Sequence, residues 1–205
     1  MPDERPGDRR ALPRGPRDDR GVIAESIVAA ARSSFAEVGY AGTTLRGVAR
    51  EAEVDPALVS YYFKTKTGLL EAALVPPETW VTALAEAAAS PVRERGATLV
   101  RTFIGAWEDP VTAEYLRSVI LTAAHEPVAL QQLAVNFARY ILQAVSVHID
   151  EGDRLIRASL MSSQMVGLAM TRYVWKVGAI AQMPAEDVVR HVAPTIQRYL
   201  TGVFA

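Results

Sequence analysis

The stretch from Thr44 to Lys66, TLRGVAREAEVDPALVSYYFKTK, constrains the fold more than any other part of the chain. Two helical apolar stripes meet there with almost no room between them. Val48, Ala49 and Ala52 fall on one side of a first short helix, and Val54, Leu58, Val59 and Tyr62 recur at helical spacing on a second. Thr43 and Thr44 offer side-chain oxygens to the start of the first helix. Asp55 with Pro56 behind it marks the start of the second, as an N-cap followed by proline at N1. The break therefore falls at Glu53–Val54. Ala49 lets the helices cross closely, where a bulkier side chain would push the second away from the first. Two helices across so tight a turn make a helix-turn-helix, the arrangement that sets a helix in a DNA groove.

The rest of the chain from Val22 onward reads as helix almost throughout. Ile23, Ile27, Ala31 and Phe35 form a stripe that backs the motif and stops at Gly39, where glycine accepts a left-handed conformation. Gly68 to Leu74 predicts a connecting helix that ends at Pro76–Pro77, which cannot continue a hydrogen-bond ladder. Further helices are expected at roughly 78–89, 93–107, 111–124, 128–149, 153–178 and 185–203, divided by Pro91, Asp109–Pro110, Pro127, Gly152 and Pro184. No strand pattern or internal repeat competes. The expected fold is all-α, with a three-helix helix-turn-helix domain over residues 20–75 and a larger helical domain over 76–205. Residues 1–19, with four prolines and charges of both signs, read as a disordered tail. Six arginines through Arg20 suit phosphate contact, but five interleaved acidic residues favour a solvated tail.

Composition narrows the function classes. Half of the 205 residues are hydrophobic, enough for a substantial core. The absence of cysteine excludes disulfides and thiolate metal sites and fits a reducing compartment. No run approaches the roughly 18 apolar residues of a membrane span, and the charged start lacks the apolar core of a secretory signal, so a cytoplasmic protein without membrane partners is expected. A net charge of −1 means that any DNA contact must come from a few placed residues. His125, His148 and His191 stand isolated, with no HExxH spacing, carboxylate cluster or phosphate-cradling glycine loop. Neither an enzyme nor a cofactor or metal is expected. The contrasting readings are a dimeric DNA-binding protein without an effector and an all-helical small-molecule-binding enzyme.

Several segments carry a more specific resemblance. Gly39-Tyr40, Thr43-Thr44-Leu45, Val48-Ala49, Val54 and the run Tyr61-Tyr62-Phe63-Lys64-Thr65-Lys66 with Leu69-Leu70 resemble the N-terminal domain of TetR-family transcriptional regulators. Ala106-Trp107-Glu108-Asp109-Pro110, Val166-Gly167-Leu168-Ala169 with Arg172-Tyr173, and Ala193-Pro194 with Arg198-Tyr199-Leu200 resemble a ligand-binding domain of that family. One position departs from the pattern: Glu53 stands where the family usually has glycine, at a turn position that favours the left-handed conformation.

The resemblance implies that the second motif helix enters the major groove, at Pro56, Ala57, Leu58, Ser60, Tyr61 and Tyr62. Ser60 suits a base edge or phosphate, Ala57 and Leu58 a thymine methyl, and Tyr61 offers a hydroxyl on an apolar ring. Thr44, Arg46 and Lys66 lie at the motif's edges and suit phosphate anchoring, with Lys64 a weaker candidate. Leu58 and Tyr62 also share the apolar stripe and are expected to be partly core. One motif reads only a few base pairs, so a homodimer on a palindromic DNA operator is expected, its reading helices about 34–36 Å apart. Candidate interface residues are Leu160, Gly167 and Leu168 on the helix at 153–178 and Val189, Val192, Ile196, Tyr199 and Val203 on the last, which in the resembling family pair as a four-helix bundle. An unidentified small apolar or amphipathic effector is expected among Phe103, Trp107, Tyr115, Met161, Met165 and Trp175, with Gln164 and Arg172 as polar partners. The resemblance further implies that this effector releases a repressor from DNA.

Overall fold

The computed structural model describes residues 16–136 and 151–202. Helix α1 (Pro16–Gly42) is interrupted at Gly39, whose φ of 72° is the left-handed stop expected there. It begins at Pro16, four residues inside the segment expected to be tail; residues 1–15 lie outside the described residues. The motif follows as α2 (Leu45–Glu51) and α3 (Pro56–Phe63), and α4 (Lys66–Ala73) connects it to the body. The body consists of α5 (Glu78–Ala89), α6 (Arg95–Glu108), α7 (Pro110–Ala123), α8 (Pro127–Asn136), α9 (Glu151–Ala169) and α10 (Ala185–Thr201). Among the described residues there is no strand, and no helix is long and apolar enough to cross a membrane.

Three boundaries differ from the sequence reading for identifiable reasons. The connecting helix starts at Lys66 rather than Gly68, because the Thr65 hydroxyl accepts the Gly68 amide at 3.0 Å and caps it. The helix expected at 153–178 ends early: its last turn widens into a π-helix at Met170–Val174, and Gly178 turns the chain at φ 68°. The second half of the helix expected at 128–149 lies outside the described residues.

The motif's core is built as its stripes require. Ile27, Ala31 and Phe35 from α1 meet Val48 and Ala49 from α2, Val59 from α3, and Leu69, Leu70 and Ala73 from α4, all buried. That core does not stop at Pro76–Pro77. It runs on through Trp80 and Leu84 of α5 to Tyr115 and Val119 of α7 and Ala129 of α8, so motif and body share one apolar interior. A second core joins Leu99, Val100 and Ile104 of α6 to Met161 of α9 and Val188, Val189, Ile196 and Leu200 of α10. Gly96 makes the crossing of α6 and α10 possible: a Cβ there would sit 2.8 Å from the Gln197 backbone nitrogen. Its own amide instead donates to Gln197 Oε1 at 2.8 Å.

Candidate DNA-binding face and effector cavity

The motif's turn closes by a bond from the Val54 amide to the Ala49 carbonyl at 2.9 Å, and this forces Glu53 to a φ of 55°. The left-handed turn is therefore real, and it carries a side chain with a Cβ. Thr44 caps α2 by accepting the Gly47 amide at 3.0 Å, and Asp55 caps α3 by accepting the Ala57 amide at 2.7 Å. Thr43 serves another purpose than a cap. Fully buried, it donates to the Gly39 carbonyl at 2.8 Å and pairs with Ser34, tying the end of α1 rather than the start of α2.

Burial of Val59 orients α3. Pro56, Ala57, Ser60 and Tyr61 consequently share its exposed side, with Tyr61 69% exposed and braced edge-on by Tyr62 at 5.3 Å. Leu58 and Tyr62 are half-buried, and Tyr62 packs on the motif core. Thr44 and Arg46 are exposed at the start of α2.

At the start of α4, Lys66 lies over the Tyr40 ring at 4.3 Å, and its ammonium donates to the Ala41 carbonyl at 3.3 Å. Tyr40 is itself held by Thr67 at 3.1 Å. An ammonium has three protons, so Lys66 can keep this tether and still meet a phosphate. Sequence spacing gave no sign of the Tyr40–Thr67 brace, because its partners lie 27 residues apart. Lys64 adopts φ 58°, ψ −48° as the centre of a γ-turn, closed by the Thr65 amide on the Phe63 carbonyl at 2.6 Å. Gly68 lets that carbonyl approach; a Cβ there would lie 2.5 Å from it.

In the body, a cavity of about 460 Å³ opens between α5, α6, α7, α8 and α9. Four of the expected residues line it: Phe103, Tyr115, Met161 and Met165. The others do not. Trp107 is buried against Tyr173, the rings stacked 5.1 Å apart, and Trp175 is 60% exposed beyond the π-helix. Gln164 is exposed, and Arg172 donates to the Ile180 and Met183 carbonyls at 2.6 and 2.7 Å, fastening the loop before α10. Helical periodicity identifies apolar faces but not which neighbour each face meets, and so it could not separate these groups. In place of the polar partners the cavity has Pro76, Trp80, Leu84, Leu99, Leu116, Val119, Ile120 and Val166, with hydroxyls from Ser159 and Ser162. Trp80 and Leu84, one turn apart on α5, carried the signal that would have found this wall.

The expected dimer stripes also divide. Leu168, Val189 and Ile196 face the subunit's own core and are corrected as interface candidates. Leu160 and Gly167 are exposed on α9, Val192 and Tyr199 are half-buried, and Val203 lies outside the described residues.

Residues 94–200 match the family model described as Tetracyclin repressor-like, C-terminal domain, and residues 27–73 match that of Bacterial regulatory proteins, tetR family. The probable HTH-type transcriptional regulator YttP of Bacillus subtilis (strain 168) is 43% identical over 47 residues, 23% of this chain and 23% of that protein. The chain thus aligns with about a quarter of that curated relative's length. A TetR-family regulator of Streptomyces coelicolor A3 is 30% identical, with a TM-score of 0.63 over 95% of this chain and 99% of the other. The SmeT–Triclosan complex, 20% identical with a TM-score of 0.65 over 86% of this chain and 90% of the other, shares the fold. Matched on both sides of its proline pair and aligned along nearly all of a solved member, the chain belongs to the TetR family of DNA-binding transcriptional regulators, which are not enzymes.

Proposed function

We propose that the protein is a repressor that binds a palindromic operator in the cytoplasm as a homodimer and is released by a small, largely apolar effector. The observation that carries this reading is the cavity of about 460 Å³, of a size suited to a small ligand, walled by Pro76 and Tyr115 next to the end of α4. Thr44, Arg46 and Lys66 anchor phosphates around the exposed side of α3, which meets the bases through Pro56, Ala57, Ser60 and Tyr61, while Leu58 and Tyr62 set its depth. Two copies are needed because one such helix spans about 12 Å, enough for one groove. Dimer contact is supplied by the exposed side of α9 around Leu160 and Gly167, with Val192 and Tyr199 of α10 at its border. An effector shifts the equilibrium only by binding the released conformation more tightly.

The test begins with an operator selected by the full chain from random duplexes and mapped by footprinting. A palindromic footprint whose half-sites lie one helical turn apart, or a multiple of that, is expected. Small apolar compounds are then titrated while Trp fluorescence and operator anisotropy are followed together. Quenching accompanied by release supports the reading; quenching by every bound compound without any release would remove the effector role.

A further inference from the structure

Arg32, in the middle of α1, is the point where motif, connecting helix and cavity wall meet. Its Nε donates to the Ala73 carbonyl at 2.9 Å and its Nη2 to the Val75 carbonyl at 2.7 Å, so one guanidinium holds the last turn of α4. The same group lies over the Tyr115 ring, 5.5 Å from its centroid. Tyr115 is buried and lines the cavity, as does Pro76, the residue after Val75. Burial pulls the Arg32 cation below its ordinary pKa, with Tyr115 and Glu114 opposing. The planar guanidinium meets both carbonyls from one rigid fork while its face lies on the ring; a lysine ammonium, a point charge on a flexible stem, carries no such fixed link between them.

The cavity's lining also restricts its occupant. Among the described residues that line it, none carries a charge at neutral pH, and the polar groups are Tyr115, Ser159, Ser162 and the Trp80 indole. A charged ligand would shed its hydration there without a counter-ion.

We propose that the cavity takes an uncharged apolar ligand, and that Arg32 is the positioning residue that passes its occupancy from Tyr115 to the end of α4. This rests on the effector reading of the cavity. A ligand that shifts the Tyr115 ring or Pro76 alters the grip of Arg32 on the Ala73 and Val75 carbonyls. Helix α4 responds as a unit, and its other end carries Thr65 and Lys66 beside the reading helix.

The experiment uses the full chain and the neutral probe phenylnaphthylamine, with amide exchange read over residues 66–75. In the unmodified protein, probe binding is expected to change exchange there by at least about fivefold. In Arg32→Met the probe is expected to bind within about threefold of the original affinity, with that exchange response lost. Arg32→Lys, which keeps the charge and the fold if Met does not, is expected to behave as Met does. An unchanged exchange response in either folded variant, or a bound probe with no response in the unmodified protein, overturns the relay alone. Absence of probe binding overturns the effector reading of the cavity itself. Anilinonaphthalene sulfonate, the same skeleton with an anionic group, should compete at least about tenfold more weakly; equal competition overturns the uncharged ligand class.

Discussion

Glu53 occupies a left-handed turn at φ 55° with no glycine to relieve it. A Cβ in that conformation costs about 1–2 kcal/mol, partly offset by the extra freedom glycine has in the unfolded chain. Glu53→Gly is therefore expected to stabilise the protein by about 1 kcal/mol, or about 2–4 °C in Tm, with operator binding kept. Thermal unfolding by circular dichroism checks this, and a lowered Tm would show that the turn does not need glycine. The departure at Glu53 was legible as a residue out of pattern, because the turn that demands it is local. Lys64 was not legible: its γ-turn depends on Gly68 letting the Phe63 carbonyl in, a contact between residues in two different helices.

Helix ends and crossings respond to different forces, and two substitutions separate them. Asp109 caps α7 by accepting the Thr112 amide at 2.8 Å and hydroxyl at 2.6 Å, and the hydroxyl bond, followed by the amide bond, holds the carboxyl below its ordinary pKa. A depressed acid stabilises the fold above its unfolded pKa, and that contribution is lost as pH falls through the folded one. Asp109→Ala is expected to lower Tm at neutral pH, with the gap closing below about pH 4 in a pH series of melts. A gap that is constant with pH would remove the carboxylate's role. Gly96→Ala places a Cβ 2.8 Å from the Gln197 backbone and must part α6 from α10. A loss of about 1–3 kcal/mol is expected by denaturant unfolding, and an unchanged midpoint would show that the crossing yields freely. The caps at Thr44 and Asp55 follow from residue type within three positions; the Thr65 cap, missed where the helix was expected to start at Gly68, and the α6–α10 crossing, 101 residues apart in sequence, were not read from it.

At the scale of the whole molecule, an exposed Gly167 on α9 has nothing within 4 Å of where its Cβ would lie. Gly167→Arg is thus expected to leave the subunit folded but to hold partner helices apart, giving a monomer by sedimentation with unchanged helical content. A dimer that persists would move the interface elsewhere. Under the proposed dimer, operator affinity should fall with salt at a slope near −4, about −0.9 for each of about four phosphates met by Arg46 and Lys66 of two subunits. A slope near −9 or steeper would bring in the Arg-rich N-terminal segment. The residues alone determined the all-helical class, the helix-turn-helix and the caps at Thr44 and Asp55, because periodicity and end signals act within a few positions of the chain. Which apolar face meets which neighbour was decided only by packing: Met161 on the cavity but Trp107 against Tyr173, Leu160 toward solvent but Ile196 in the core, Arg172 on a loop rather than a ligand. A helix presents several apolar faces at the same period, and the choice among them is made by the long-range burial of whole helices against one another, which no local spacing encodes.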